Sequence, residues 1–316
     1  MKKMGNEVHV EGYLYEQALE KKVSQKGVEY IKGKISIATD EEMTNIVEVN
    51  FTYVTAIFAK SQKPNKTYEL LDNILNSGTT KTYMGGGKDN ALKLRVDSSL
   101  KLNEWFDKNS GDLISQMRIE GGFVHTTATL NPDEKKRNTF KNDMLISAIF
   151  PKDADEEKNI PAHAVLKGVI FDDFTQAILP ASFTLYNPMA IEYFSKLEPS
   201  SSKPVFTKIW GNITSQESKT LVETESAFGE KLIEEKFNTK KEYVITGALS
   251  DTYEWDSPDT ILASDVLKAQ NDREMYLAEM KKSQEEREKA KAAGSTPNMS
   301  AATSASTATA PGAFKF

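Results

Sequence analysis

Residues 33–58, GKISIATDEEMTNIVEVNFTYVTAIF, limit the fold more tightly than any other stretch of the chain. Ile35 and Ile37 alternate with Lys34, Ser36 and Ala38, the period-two pattern of a half-buried strand. Thr39, Asp40, Glu41 and Glu42 then supply a polar turn. From Ile46 onward the chain is β-branched and aromatic, with Val47, Val49, Phe51 and Tyr53 on one face, and such side chains suit a pleated surface better than a helix. A gap this short has no room for a crossover helix, so the two strands are expected to pair antiparallel, and their neighbours to join the same sheet.

With 316 residues and 39% hydrophobic composition, the chain can hold one large domain or two. Neither a run of apolar residues long enough to span a bilayer nor a signal-peptide pattern after Met1 is present, so no membrane association and a cytoplasmic location are expected. Zero cysteines exclude disulfides, thiolate metal sites and a cysteine nucleophile. The formal charge of −6 argues against coating duplex DNA by bulk charge, but it leaves open a local basic groove on an otherwise acidic molecule.

Residues 7–19 alternate around Gly12, a position that marks a bend able to curl a sheet toward closure. Strands are expected over 28–38 and 46–58, followed by a Pro64-Asn65 turn and a helix that Thr67 caps and Gly78 closes. The glycine-rich segment 81–90 is expected to be a flexible loop, and 91–102 and 113–130 to be strands four and five. Three strands, a helix and two strands make the order of an OB-fold barrel. After the charged linker 152–159, HAVLKGVIFD at 163–172 echoes the opening HVEGYLYE, with Gly168 in place of Gly12. Further strands are read at 176–187, 205–215, 220–228 and 241–249, with a helix opening at Pro188. In this half the helix follows the second strand, a departure from OB order. It is therefore either a second OB-like barrel or an extension of the first sheet. Residues 264–293 form a charged, mostly solvated helix, and 294–316 lack any core-forming pattern. The division expected is 1–150, an OB-fold-like unit; 159–255, a second β-rich unit; 258–293, the charged helix; and 294–316, a disordered tail.

The run GKISIATDEEMTNIVEVNFTYV, the Lys-Pro-Asn turn and the helix from Tyr68 to Leu75 resemble single-stranded DNA-binding OB-fold proteins encoded by bacteriophages of low-GC bacteria. The resemblance covers mainly residues 6–130. It implies binding to single-stranded DNA with little sequence preference, protection of that strand during replication or recombination, and a tail that recruits replication or recombination proteins. Phe314 and Phe316 are the partner-binding candidates, although the acidic cluster that precedes the terminal Phe of the familiar bacterial tail is missing.

Single strands are held by a positive groove and by aromatic faces on which bases stack. The cationic candidates are Lys32, Lys34, Lys60, Lys63, Lys81, Lys88, Lys93, Arg95 and Arg118; the stacking candidates are Tyr13, Tyr53, Tyr83 and Phe123. Lys34, Tyr83, Arg95 and Arg118 are expected to converge on one outer wall. For each Lys the competing reading is a solvated surface charge. Phe51 and Tyr53 share a face with two valines, which favours core membership over stacking. Tyr83, between Lys81 and the glycines, is the first choice as a platform. Lys208 and Trp210 share a face of a later strand, and they form a further patch if that face is open or core if it is closed.

Gly85-Gly86-Gly87-Lys88 is no phosphate loop, because Thr82 and Asp89 stand where a glycine and a hydroxyl residue are required. His9, His125 and His163 lie in separate strands without metal-ligand spacing, Asp172-Asp173 reads as a turn, and no Gly-x-Ser-x-Gly elbow exists. No enzyme, cofactor or metal is therefore expected. The alternative to strand binding is a structural or assembly protein that oligomerises through sheet edges.

Overall fold

A computed structural model describes residues 3–155, 160–224 and 232–292 of the protein. The architecture is mainly β. In order the elements are β1 (Asn6–Val23), β2 (Glu29–Ala38), β3 (Ile46–Thr55), α1 (Lys66–Asn76), α2 (Tyr83–Gly86), β4 (Lys93–Phe106), β5 (Leu113–Thr126), β6 (Asn138–Lys152), β7 (His163–Phe171), β8 (Ile178–Leu185), α3 (Pro188–Lys196), β9 (Val205–Thr224), β10 (Leu232–Ala248) and α4 (Ala263–Ala292).

The pairings close twice. β1, β2, β3, β5 and β4 follow one another and return to β1, and β6, β7, β8, β10 and β9 return to β6. Among the described residues only β3–β5 and β8–β10 pair parallel. In each circuit a helix separates the third strand from the fourth, so both have the connectivity of an OB barrel. The circuits share a seam, where Asn6–Val10 of β1 pairs with Asn138–Asn142 of β6. Inward-facing side chains of the two circuits, among them Val10, Ile35, Val49, Phe140, Phe183 and Tyr243, form one continuous core.

Three expectations change. Residues from Asn138 onward already form the first strand of the second circuit, inside the range assigned to the first unit, so α3 follows the third strand and the order does not depart from the OB pattern. β6 was hidden by its polarity. Asn138, Asn142 and Asp143 are buried, and Asp143 is satisfied there by the Gly5 amide at 2.7 Å, the Tyr253 hydroxyl at 3.3 Å and Lys208 at 3.5 Å. Second, the segment at 205–215 and residues 220–224 of the next one belong to one long strand, β9, which forms a ribbon with β10, while 225–228 lie outside the described residues. Third, the glycine segment holds the one-turn helix α2, whose Thr82 side chain accepts from the Gly85 amide.

Smaller differences follow local chemistry. Asn65 rather than Thr67 caps α1, and the freed Thr67 hydroxyl accepts from the Val124 amide at 3.3 Å, tying the helix to β5. α4 docks its first turns through Val266 and Ala269. It is also fastened to the first circuit, where Arg273 meets Glu104 at 2.9 Å and Gln284 donates to the Phe106 carbonyl at 3.0 Å.

Candidate nucleic-acid interface

Alternation along the seam sends Val8 and Val10 into the core and leaves Glu7 and His9 on the outer face. Register then builds a row across five strands, with Phe123 of β5 opposite Asp97 of β4, Asp97 opposite His9, His9 opposite Thr139 of β6, and Thr139 opposite Asn212 of β9. A second row runs from Glu7 through Lys141 to Trp210. Above the first row lies a groove of about 1110 Å³, lined by both circuits and by the β7–β8 turn, with Lys3, Lys101, Lys141, Glu7, Asp97, Glu120 and Asp173 among its charged residues.

Exposed rings stand along this face. Phe123 is 60% exposed, Phe174 at the tip of the β7–β8 turn 84%, and Trp210 38%. Trp210 is therefore not core. Its indole lies across Gly247, where a Cβ would come within 2.4 Å of Nε1, and a register shift between Ile245 and Gly247 accommodates it.

The electrostatics are mixed. Lys101 is held between Asp172, at 2.6 Å, and Asp173. These carboxylates hold its pKa above the ordinary lysine value against desolvation, and Asp172 is correspondingly lowered. Arg95 donates from Nε to Asp97 at 3.0 Å, and the same carboxylate meets His9 Nδ1 at 2.9 Å. Lys3 and Lys141 make no ion pair among the described residues, and they are the cations the groove can offer directly to an anion.

The remaining candidates are dispersed. Lys34 and Arg118 lie on the β2–β3–β5 wall, linked by the row Lys34, Asn50, Glu120, whereas Arg95 faces the seam and Tyr83 sits on α2. The four do not converge, and the three cations are tied to Glu48, Glu120 and Asp97. Lys32 is paired with Glu20 at 2.9 Å and Lys208 with Asp143 at 3.5 Å. Tyr53 is 51% exposed, because β3 outruns the core beyond Phe51, and its ring lies 4.4 Å from that of Tyr30. Lys60 and Lys63 are exposed in the following turn, without an ion pair among the described residues. Phe314 and Phe316 lie outside the described residues.

At the opposite end of the first circuit, Lys81 is exposed, and Tyr83 stacks on Tyr15 at 5.5 Å with a 17° interplanar angle, so one ring face is already used. Tyr13 lies under Lys88 at 5.2 Å and Lys93 at 5.7 Å. Glu41 bridges Lys88, at 2.7 Å, and the buried Arg137, at 2.8 Å, and these hydrogen bonds lower its pKa to about 2. A depressed carboxylate stabilises the fold above its unfolded value, and the contribution is lost as pH falls through the folded one. Glu41→Gln is thus expected to flatten the loss of melting temperature from pH 4.5 down to about 2. Circular-dichroism melts across that window check it, and an unchanged acid slope would assign the loss to other groups. Because Glu41 is half exposed, the change is expected to be of order 1 kcal/mol or less.

His9, Lys101, Lys141 and Phe174 were not among the sequence candidates. Alternation identifies His9 and Lys101 as outward, whereas Lys141 lies on β6, which alternation did not reveal, and only the strand pairing shows that the three share this face. No group of three metal-ligating side chains is found among the described residues, nor any helix long and apolar enough to cross a membrane.

A family model described as YorF matches residues 4–283. No curated protein shows significant similarity to the chain. Among solved structures, the chain is similar to the wild-type single-stranded DNA binding protein from Thermus aquaticus, with 9% identity, a TM-score of 0.48, and coverage of 80% of this chain and 96% of that one. A deletion mutant of the same protein gives 11% identity, a TM-score of 0.45, and coverage of 83% and 100%.

Proposed function

The chain belongs to the YorF family, and for it we propose a non-enzymatic role: it binds single-stranded DNA in the groove along the seam, during phage or mobile-element replication or recombination. The observation that carries this reading is the row of outward residues that runs unbroken across both OB circuits, with Phe123 at one end, Trp210 in the adjoining row and Phe174 overhanging the groove. Barrels of this kind bind oligonucleotides, but the fold does not decide function; what supports the reading is exposed rings beside cations that make no ion pair among the described residues. Base stacking on aromatic faces tolerates any sequence, and Lys3 and Lys141 are placed to meet phosphates. Tyr53, Lys60 and Lys63 at the end of the β2–β3 wall extend the proposed contact surface for a longer strand.

Titration with an oligodeoxythymidine, followed by tryptophan fluorescence, tests this. Trp210 is expected to be quenched, and log affinity to fall with log salt at a slope near −1.4, about −0.7 for each of two phosphates neutralised. A flat titration, or equal affinity for duplex, would overturn the proposal. Assembly through sheet edges has less to stand on, since both circuits are closed and, among the described residues, the longest edges left without a partner strand are those of the β9–β10 ribbon, where 216–224 and 232–240 pair only with each other.

A further inference from the structure

His9 occupies the centre of the groove's first row, and both of its ring nitrogens face carboxylates. Nδ1 lies 2.9 Å from Asp97 and Nε2 lies 3.5 Å from Glu11. A neutral imidazole has one N–H and can donate to only one of them, whereas an imidazolium donates to both. The other charged or titratable groups facing it are Glu7 on its own strand, Arg95 on β4, Lys141 diagonally across on β6, and His125 opposite Arg95 on β5. Arg95 is already spent on Asp97, and Glu11 also accepts the Asn131 amide at 2.7 Å. A phosphate chain laid along this row therefore adds negative charge to a site where two carboxylates already flank one ring.

Resting on the groove reading above, we infer that His9 takes up a proton when a single strand enters, so that the chain holds DNA more tightly in acid than in base. Proton uptake on binding requires affinity to rise as pH falls, and reciprocally requires the bound strand to favour the protonated ring. The added proton offsets one of the two carboxylate charges that would otherwise oppose the strand, and Arg95 already faces the other at Asp97.

The test measures affinity of the full chain for an oligodeoxythymidine at constant salt. Wild type is expected to bind about fivefold tighter near pH 5.5 than near pH 8. His9→Gln should bind equally at both, and His125→Gln should keep the wild-type dependence. Ring-proton NMR of the wild type gives a readout that needs no variant: adding oligonucleotide should move the His9 titration midpoint upward. The inference is overturned if His9→Gln retains the wild-type dependence, if wild type binds equally at the two pH values, or if the midpoint stays in place. Absence of binding at either pH would instead defeat the groove reading itself, and this inference with it.

Discussion

Replacing Phe123, Phe174 and Trp210 together by Ala is expected to weaken oligodeoxythymidine binding by at least about a hundredfold. Each base–ring stack contributes about 1–3 kcal/mol, and losses at separated sites add. Even the lower value at each of the three rings reaches that factor. Trp210 should give the smallest single loss, because part of its indole already rests on Gly247. Phe123 and Phe174 project into solvent, so their removal should leave thermal stability within about 0.5 kcal/mol of wild type, as is usual for surface positions. That separation of effects makes the measurement decisive. A triple variant that melts normally and binds within a few-fold of wild type would show that the strand lies elsewhere on the molecule.

Gly168→Ala is expected to cost about 3 kcal/mol or more, a fall in melting temperature of roughly 6–12 °C. A Cβ at Gly168 would sit 1.9 Å from the Leu145 carbonyl oxygen, which is backbone and has no rotamer by which to move aside. Gly33 holds the corresponding place in the first circuit, 2.0 Å from the Ala18 oxygen, and Gly33→Ala should be at least as damaging since its φ of +124° is also lost to alanine. Gly111→Asn is the control. Its φ is +72° with open space around it, and Asn tolerates that conformation. Melting of Gly168→Ala within about 2 °C of wild type would mean that the strands can separate cheaply there.

These glycines also show how far the fold can be read from residues alone. Alternation and β-branched runs reveal the five strands and the helix of the first circuit, because those signals are local. The likeness between 163–172 and the N-terminal stretch correctly points to repetition, but it aligns Gly168 with Gly12, whereas the strand circuits place Gly168 beside Gly33. Any two alternating strands look alike over eight residues, and only pairing says which is second in its barrel. β6 escaped because buried Asn and Asp side chains interrupt its apolar face, and the partners of Asp143 (Gly5, Tyr253 and Lys208) lie far off in sequence. At the site, residue types were legible and their neutralisation only partly so. Arg95 and Asp97, like Arg118 and Glu120, stand two apart on one strand and must share a face, so those pairs could have been foreseen. Lys34 with Glu48, and Lys88 with Glu41, meet only through the fold.

The seam has a bearing on how the molecule is made. As the chain leaves the ribosome, the first barrel can close on itself while one flank of Asn6–Val10 still waits for β6, whose own far side waits in turn for β9. A released chain truncated between Thr126 and Asn138 would hold every strand of the first circuit and still leave that flank bare, open to any passing peptide. In the whole chain Asn138–Asn142 covers that flank, so the second barrel shields the edge of the first.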